Sequence, residues 1–119
     1  IEKKIPIYGC GTNIRDWIFV SDHVDALIAI FESEYKYDRY LIGARNTISN
    51  LDIVKKVCKT FDKIKGNTFD SFSLVEFVED RKGHDFCYAI NPTRIEKSLG
   101  WKSKISIEDG LKKTIYSYL

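Results

Sequence analysis

The stretch IPIYGCGTNIRDWIFVSDHVDAL, spanning Ile5 to Leu27, decides the fold. It opens on a short run of β-branched and aromatic residues, Ile5 to Tyr8, of the kind that suits a half-buried strand. Two glycines, Gly9 and Gly11, then break the chain, and a second strand-like run follows from Asp16 to Val20. From Asp22, a residue type that caps helices, the periodicity changes. Val24, Leu27, Ile28 and Phe31 fall at i, i+3, i+4 and i+7, which gathers them on one face of a helix expected to run to Glu32. Strand, turn, strand and helix in fewer than thirty residues read as an α/β layer structure.

The remaining sequence repeats this punctuation. Ser49-Asn50-Leu51-Asp52 is a capping-box-like start with Asp in place of Glu, and Leu51, Val54, Cys58 and Phe61 form one stripe of a helix ending near Lys63. Asn91-Pro92 opens a short helix that Gly100 terminates. Ser106 to Asp109 opens a last one carrying Ile107, Leu111, Ile115 and Leu119. Tyr40 to Ile42 and Leu74 to Val78 read as further strands. The strands are short and few for a full doubly wound sheet, so the class expected is a small mixed α/β domain.

The 119 residues fit one compact domain, which by size should bury roughly two thirds of its unfolded surface. Nineteen basic residues oppose 17 acidic ones and are interspersed with them, so no basic tract suggests nucleic acid. No apolar run approaches the roughly 18 residues of a membrane span. Cys10, Cys58 and Cys87 match no zinc or CxxC spacing, and His23 and His84 are far apart, so no metal site is expected. A reducing, cytoplasmic setting fits this cysteine usage. The sequence contains no methionine, so Ile1 is not expected to be a natural start and further sequence is expected upstream.

Four places carry candidate chemistry. The loop Gly9 to Asn13 is either a plain hairpin turn or a backbone cradle for phosphate, although it lacks the GxGxxG and GKS/T spacings. Arg15 offers a planar donor fork for phosphate, or else pairs with Asp16 or another acid. Asn50 sits at a helix N-terminus, where it is either a simple cap element or part of an anion site. The cluster Asp80-Arg81-Lys82-Gly83-His84-Asp85 follows a strand, where α/β proteins bind ligands. It is either a solvated charged turn or, through Arg81 and His84, a diphosphate clamp. No nucleophile and base pair is evident, since Ser21 near His23 is explained by helix capping.

Taken in order, PIYGxGxxIRDWxxVxDHxxAL, IG, NLDIV, DRxGHDxxYAI and LGW cover nearly the whole chain. This set resembles the C-terminal portion of the dTDP-glucose 4,6-dehydratases, within the extended short-chain dehydrogenase/reductase family. The Arg15 to Ala26 stretch is shared with the sugar-nucleotide epimerases and decarboxylases of that family. Asp80 to Asp85 with Tyr88-Ala89-Ile90, together with Pro6-Ile7-Tyr8, narrows the resemblance to the 4,6-dehydratases.

The resemblance implies that residues 1–119 are a sugar-nucleotide-binding subdomain, with the NAD-binding Rossmann half upstream. On that basis Pro6, Ile7 and Tyr8 line the base and ribose, Arg15 binds the diphosphate, Asn50 contacts the nucleotide, and Arg81 and His84 close over it. NAD, the YxxxK pair and the Asp/Glu acid–base dyad belong to the other half, as do the helices that build the family's homodimer. The intact parent would be a lyase, and this segment alone is expected to be inactive, with helices shaped to pack partly on the cofactor domain. Lys82 stands where the family's loop usually has proline, Ala44 where it has a second glycine, Phe86-Cys87 where basic residues are common, and Asn91 where Asp is usual. These departures leave thymidine and uridine both open as the base. An epimerase or decarboxylase, or a nonenzymatic binding module that keeps the fold, are the other readings.

Overall fold

The computed structural model describes residues 3–35, 38–66 and 68–119. In chain order these form β1 (Ile5–Tyr8), β2 (Ile14–Asp16), α1 (Val20–Glu32), β3 (Thr47–Ser49), α2 (Asn50–Lys65), a 3-10 turn (Ser71–Leu74), β4 (Val75–Val78), α3 (Thr93–Leu99) and α4 (Ile107–Tyr116). Mixed α/β architecture with few strands is therefore what the chain adopts. β1 pairs in parallel with β4, from Ile5 opposite Val75 to Tyr8 opposite Val78. β2 pairs antiparallel with β3, from Ile14 opposite Ser49 to Asp16 opposite Thr47. Because β1 and β2 enter different sheets, the Gly9 to Asn13 loop is not the hairpin turn that was one reading of it. It is a connection between sheets, turned by Gly9 and Gly11 at φ of 58° and 71°, a region that L side chains seldom adopt.

The helix signals are reproduced closely and the strand signals less so. The Ser49 hydroxyl accepts from the Asp52 amide and the Ser106 hydroxyl from the Asp109 amide, each at 3.1 Å. Asn91 Oδ1 accepts from the Thr93 amide at the start of α3, and Gly100 closes it at φ 66°. α1 differs from expectation. It begins at Val20, and Asp22 lies inside it, so Asp22 is not its cap. The run expected as a strand from Asp16 to Val20 pairs as a strand only at Asp16, and the chain passes through an extended Phe19, the N-cap, into α1. Tyr40 to Ile42 forms no strand, having no sheet partner among the described residues; Tyr40 and Ile42 pack on the core and Leu41 is exposed.

That core is narrow. Ala26, Ile95 and Trp101 are buried, with Ile18, Ile30, Tyr40, Ile42 and Leu99 packed against them. α1 therefore turns Asp22, Ala26 and Ile30 inward, spaced i, i+4 and i+8. The apolar stripe picked out by its periodicity faces outward, with Leu27 50% and Phe31 78% exposed. The molecule measures 53 × 35 × 19 Å with a radius of gyration of 16.9 Å, where about 13.5 Å is usual at this length. Its accessible surface is 8544 Å², against about 6,600 Å² for a compact monomer of this mass. The chain thus buries roughly 57% of its unfolded surface, short of the two thirds expected from size. A slab this thin has little interior.

Candidate functional site

Arg15, Asp16 and Trp17 lie at the end of β2 and its exit, and each fastens a different part of the chain. Successive strand residues face opposite sides, so Arg15 and Asp16 point apart and the ion pair that was one reading of Arg15 is not formed. Asp16 accepts from the backbone amides of Ala44, Arg45 and Asn46. Gly43 makes that close approach possible, since a Cβ there would stand 2.5 Å from Asp16 Oδ2. Trp17 Nε1 donates to Ile48 O at 3.1 Å. Arg15 turns the other way and donates to Ile14 O at 2.7 Å and Asp85 O at 2.8 Å, with a longer contact to Phe86 O. Backbone bonds from Ile14 N to Phe86 O and from Tyr88 N to Ile14 O lay the 86–88 segment along β2.

The loop after β4 is thereby drawn over the end of β2. Arg15, Arg81, Lys82, Gly83, His84, Asp85 and Tyr88 line a cleft of about 280 Å³. Two arginine–tyrosine stacks shape the site: the Arg15 guanidinium lies 4.6 Å from the Tyr88 ring centre, and that of Arg81 lies 5.4 Å from the Tyr8 ring centre. His84 Nδ1 is 2.6 Å from Asp80 Oδ1, and its ring meets Tyr8 edge-on with centroids 6.5 Å apart. The His84 side chain is only 5% exposed, so the imidazole forms part of the wall. That hydrogen bond, with the Arg81 amide, holds the Asp80 carboxyl below its ordinary range. The Tyr88 hydroxyl donates to Asp85, which pushes its own ionisation up. Among the described residues Arg15, Arg81 and Lys82 make no ion pair.

Arg15, Arg81 and His84 are thus brought together, and Tyr8 joins them through its contacts with Arg81 and His84. Pro6 is exposed on the same side of β1 as Tyr8. Ile7 is not presented: its side chain is buried at 4% exposure, against the loop at Gly11, so only its backbone is left to line a ligand. Asn50 stands apart from the cleft. As the first residue of α2 it donates its N–H to Asn13 O, Leu51 donates to Gly11 O and Asp52 to Ser49 Oγ. With those amides taken, the start of α2 offers no free donors for an anion at these positions, and the residues present do not fit a dinucleotide pyrophosphate there. Asn13 links the two places, since its side chain donates to Asp85 O.

A wider groove of about 750 Å³ runs past Thr12, Thr47, Ser49 and Asp52. Its lysines are already matched, Lys55 with Asp52 at 3.6 Å and Lys56 with Glu108 at 3.0 Å. The smaller cleft is where unmatched cations converge. Tyr88 and Asp80 were not singled out as site residues from the sequence. The i, i+3 spacing of Asp85 and Tyr88 and the i, i+4 spacing of Asp80 and His84 are the signals that point to them.

A mixed α/β unit with a cation-lined cleft at a strand end is the class of protein defined by this geometry. The chain belongs to the GDP-mannose 4,6 dehydratase family, whose sequence profile matches residues 1–114. It is 41% identical over 118 residues to a probable dTDP-glucose 4,6-dehydratase of Sinorhizobium fredii, covering 99% of this chain and 34% of the relative. The crystal structure of dTDP-glucose 4,6-dehydratase from Bacillus anthracis in complex with NAD superposes with a TM-score of 0.79 at 34% identity, over 98% of this chain and 34% of that one. UDP-glucose 4-epimerase from Thermotoga maritima, solved with UDP-glucose, gives a TM-score of 0.77 at 26% identity, over 97% of this chain and 34% of that one. The chain spans about a third of the length of the relatives it matches.

Proposed function

We propose that residues 1–119 are the sugar-nucleotide-binding part of an NAD-dependent nucleotide-sugar 4,6-dehydratase that converts dTDP-glucose to dTDP-4-keto-6-deoxyglucose and water. The observation carrying this reading is the convergence of Arg15, Arg81 and His84 on one cleft beside Tyr8. Unmatched cations in a partly enclosed site suit a diphosphate, each charge-assisted contact contributing on the order of 1.5–3 kcal/mol. In this reading Arg15 and Arg81 hold the diphosphate, His84 offers Nε2 while Asp80 occupies Nδ1, and Pro6 and Tyr8 flank the nucleoside. Asn50 acts through Asn13, one step behind the cleft. NAD, which supplies hydride removal and return, and the acid–base groups belong to the part of the protein outside this chain. So do the contacts of a cytoplasmic homodimer.

The surface supports such a division. The excess of about 1,900 Å² over a compact monomer is more than twice the roughly 800 Å² that one partner gives to a standard protein interface, as suits a large permanent one. The outward stripe of α1 and the exposed Phe77 of β4 are the apolar faces that a cofactor-binding domain would cover. Uridine in place of thymidine is the second reading, favoured by the likeness to the UDP-glucose-bound epimerase.

Titration calorimetry of the protein at its full natural length with dTDP and with UDP tests both. The expected result is dTDP binding that weakens tenfold or more in Arg15→Ala and in Arg81→Ala, with circular dichroism unchanged. If neither nucleotide binds and neither substitution has an effect, the sugar-nucleotide reading is wrong.

A further inference from the structure

The loop over the cleft is held at its base and left free at its tip. The His84 amide donates to Arg81 O at 3.1 Å, and Gly83 at φ 70° is the positive-φ residue of the turn between them. Lys82 has no positive φ, so Arg81 to His84 form a type II turn with Lys82 at its second position, where proline is favoured for its preset φ. Rigidity comes instead from Asp80, whose carboxylate accepts from the Arg81 amide at 2.8 Å and engages His84 Nδ1. Gly9 lets Asp80 lie close to the β1 end, since a Cβ there would stand 3.0 Å from its Oδ2. The tip position is thereby released from any need for proline. It carries a lysine, Lys82, which lines the cleft with Arg15 and Arg81 and has no carboxylate partner among the described residues.

We propose that Lys82 is a specificity-determining residue of this site, a third cation that binds the diphosphate of the nucleotide and favours nucleoside diphosphates over uncharged nucleosides. The inference rests on the sugar-nucleotide reading of the cleft. A lysine tip supplies a point charge that can follow the phosphates, whereas a proline tip would only stiffen the turn.

Calorimetry on the full-length protein with dTDP and with thymidine, at low salt and at about 0.5 M NaCl, separates charge from stiffness. Lys82→Gln removes the charge alone, and Lys82→Pro removes it while rigidifying the turn. Both are expected to weaken dTDP binding about three- to tenfold at low salt, with the gap closing at high salt and thymidine binding unchanged. If Lys82→Gln binds dTDP like the wild type at both salt concentrations while Arg15→Ala and Arg81→Ala weaken it, the role of Lys82 is overturned and the reading of the cleft stands. If the wild type and all four variants show no dTDP binding, both fail together.

Discussion

At the level of single residues, Asp16 and Asp22 act as fasteners between segments far apart in sequence. Asp22 is the clearest. Only 2% exposed, it accepts from the amides of Lys104 and Ile105 at 2.9 Å each and so ties the last loop to α1. Removing it strands two part-buried donors. Asp22→Ala is expected to cost about 2–4 kcal/mol, and Asp22→Asn, which keeps an acceptor oxygen, markedly less, as measured by urea unfolding. The sequence presents Asp22 as a helix cap because residue type and position both suit one, and nothing local reveals the distant amides. The separation of Arg15 from Asp16, by contrast, was already implicit in the two-residue period of a strand.

At the level of elements, helices were legible because their boundary chemistry is local. Ser49, Ser106 and Gly100 satisfy or end a helix within three or four residues of themselves, so the pattern needs no knowledge of the rest of the fold. Ser49→Ala is accordingly expected to destabilise the chain by about 1 kcal/mol, seen as a lower urea midpoint with an unchanged slope. Strands were less legible. β3 is only three residues long and exists because Asp16 gathers the 44–46 amides beside it. Tyr40 to Ile42 has equal strand propensity and no neighbour to pair with. The charge cluster after β4 is plain in the sequence, but its dependence on Arg15 appears only once segment 86–88 lies along β2.

At the level of the molecule, the decisive fact is a surface larger than the chain's mass warrants. The periodicity of α1 identified an apolar stripe correctly, yet the intramolecular core took the opposite face, using Ala26 for close approach. Leu27, Ile28 and Phe31 remain outside as a patch of the kind that drives association. The 119-residue chain by itself is expected to self-associate in sedimentation equilibrium. Leu27→Glu combined with Phe31→Glu should make it monomeric while shifting its unfolding free energy by no more than about 0.5 kcal/mol, as suits exposed positions. Monomeric behaviour of the unsubstituted chain at high concentration would count against a covered face.

The opening stretch, Ile5 to Leu27, shows where the division lies. The sequence alone determined the α/β class, the capped starts of α2 and α4 and the charged residue types that line the cleft, because periodicity, capping and charge act over a few neighbouring residues. Only the tertiary structure decided which face of α1 is buried, that Ile7 turns inward, that α2's first amides are already taken, and that Arg15 and the Arg81 to His84 turn share one cleft. Those outcomes depend on hydrogen bonds between residues tens of positions apart, such as Leu51 with Gly11, Arg15 with Asp85 and Asp22 with Ile105. No local pattern encodes such partners.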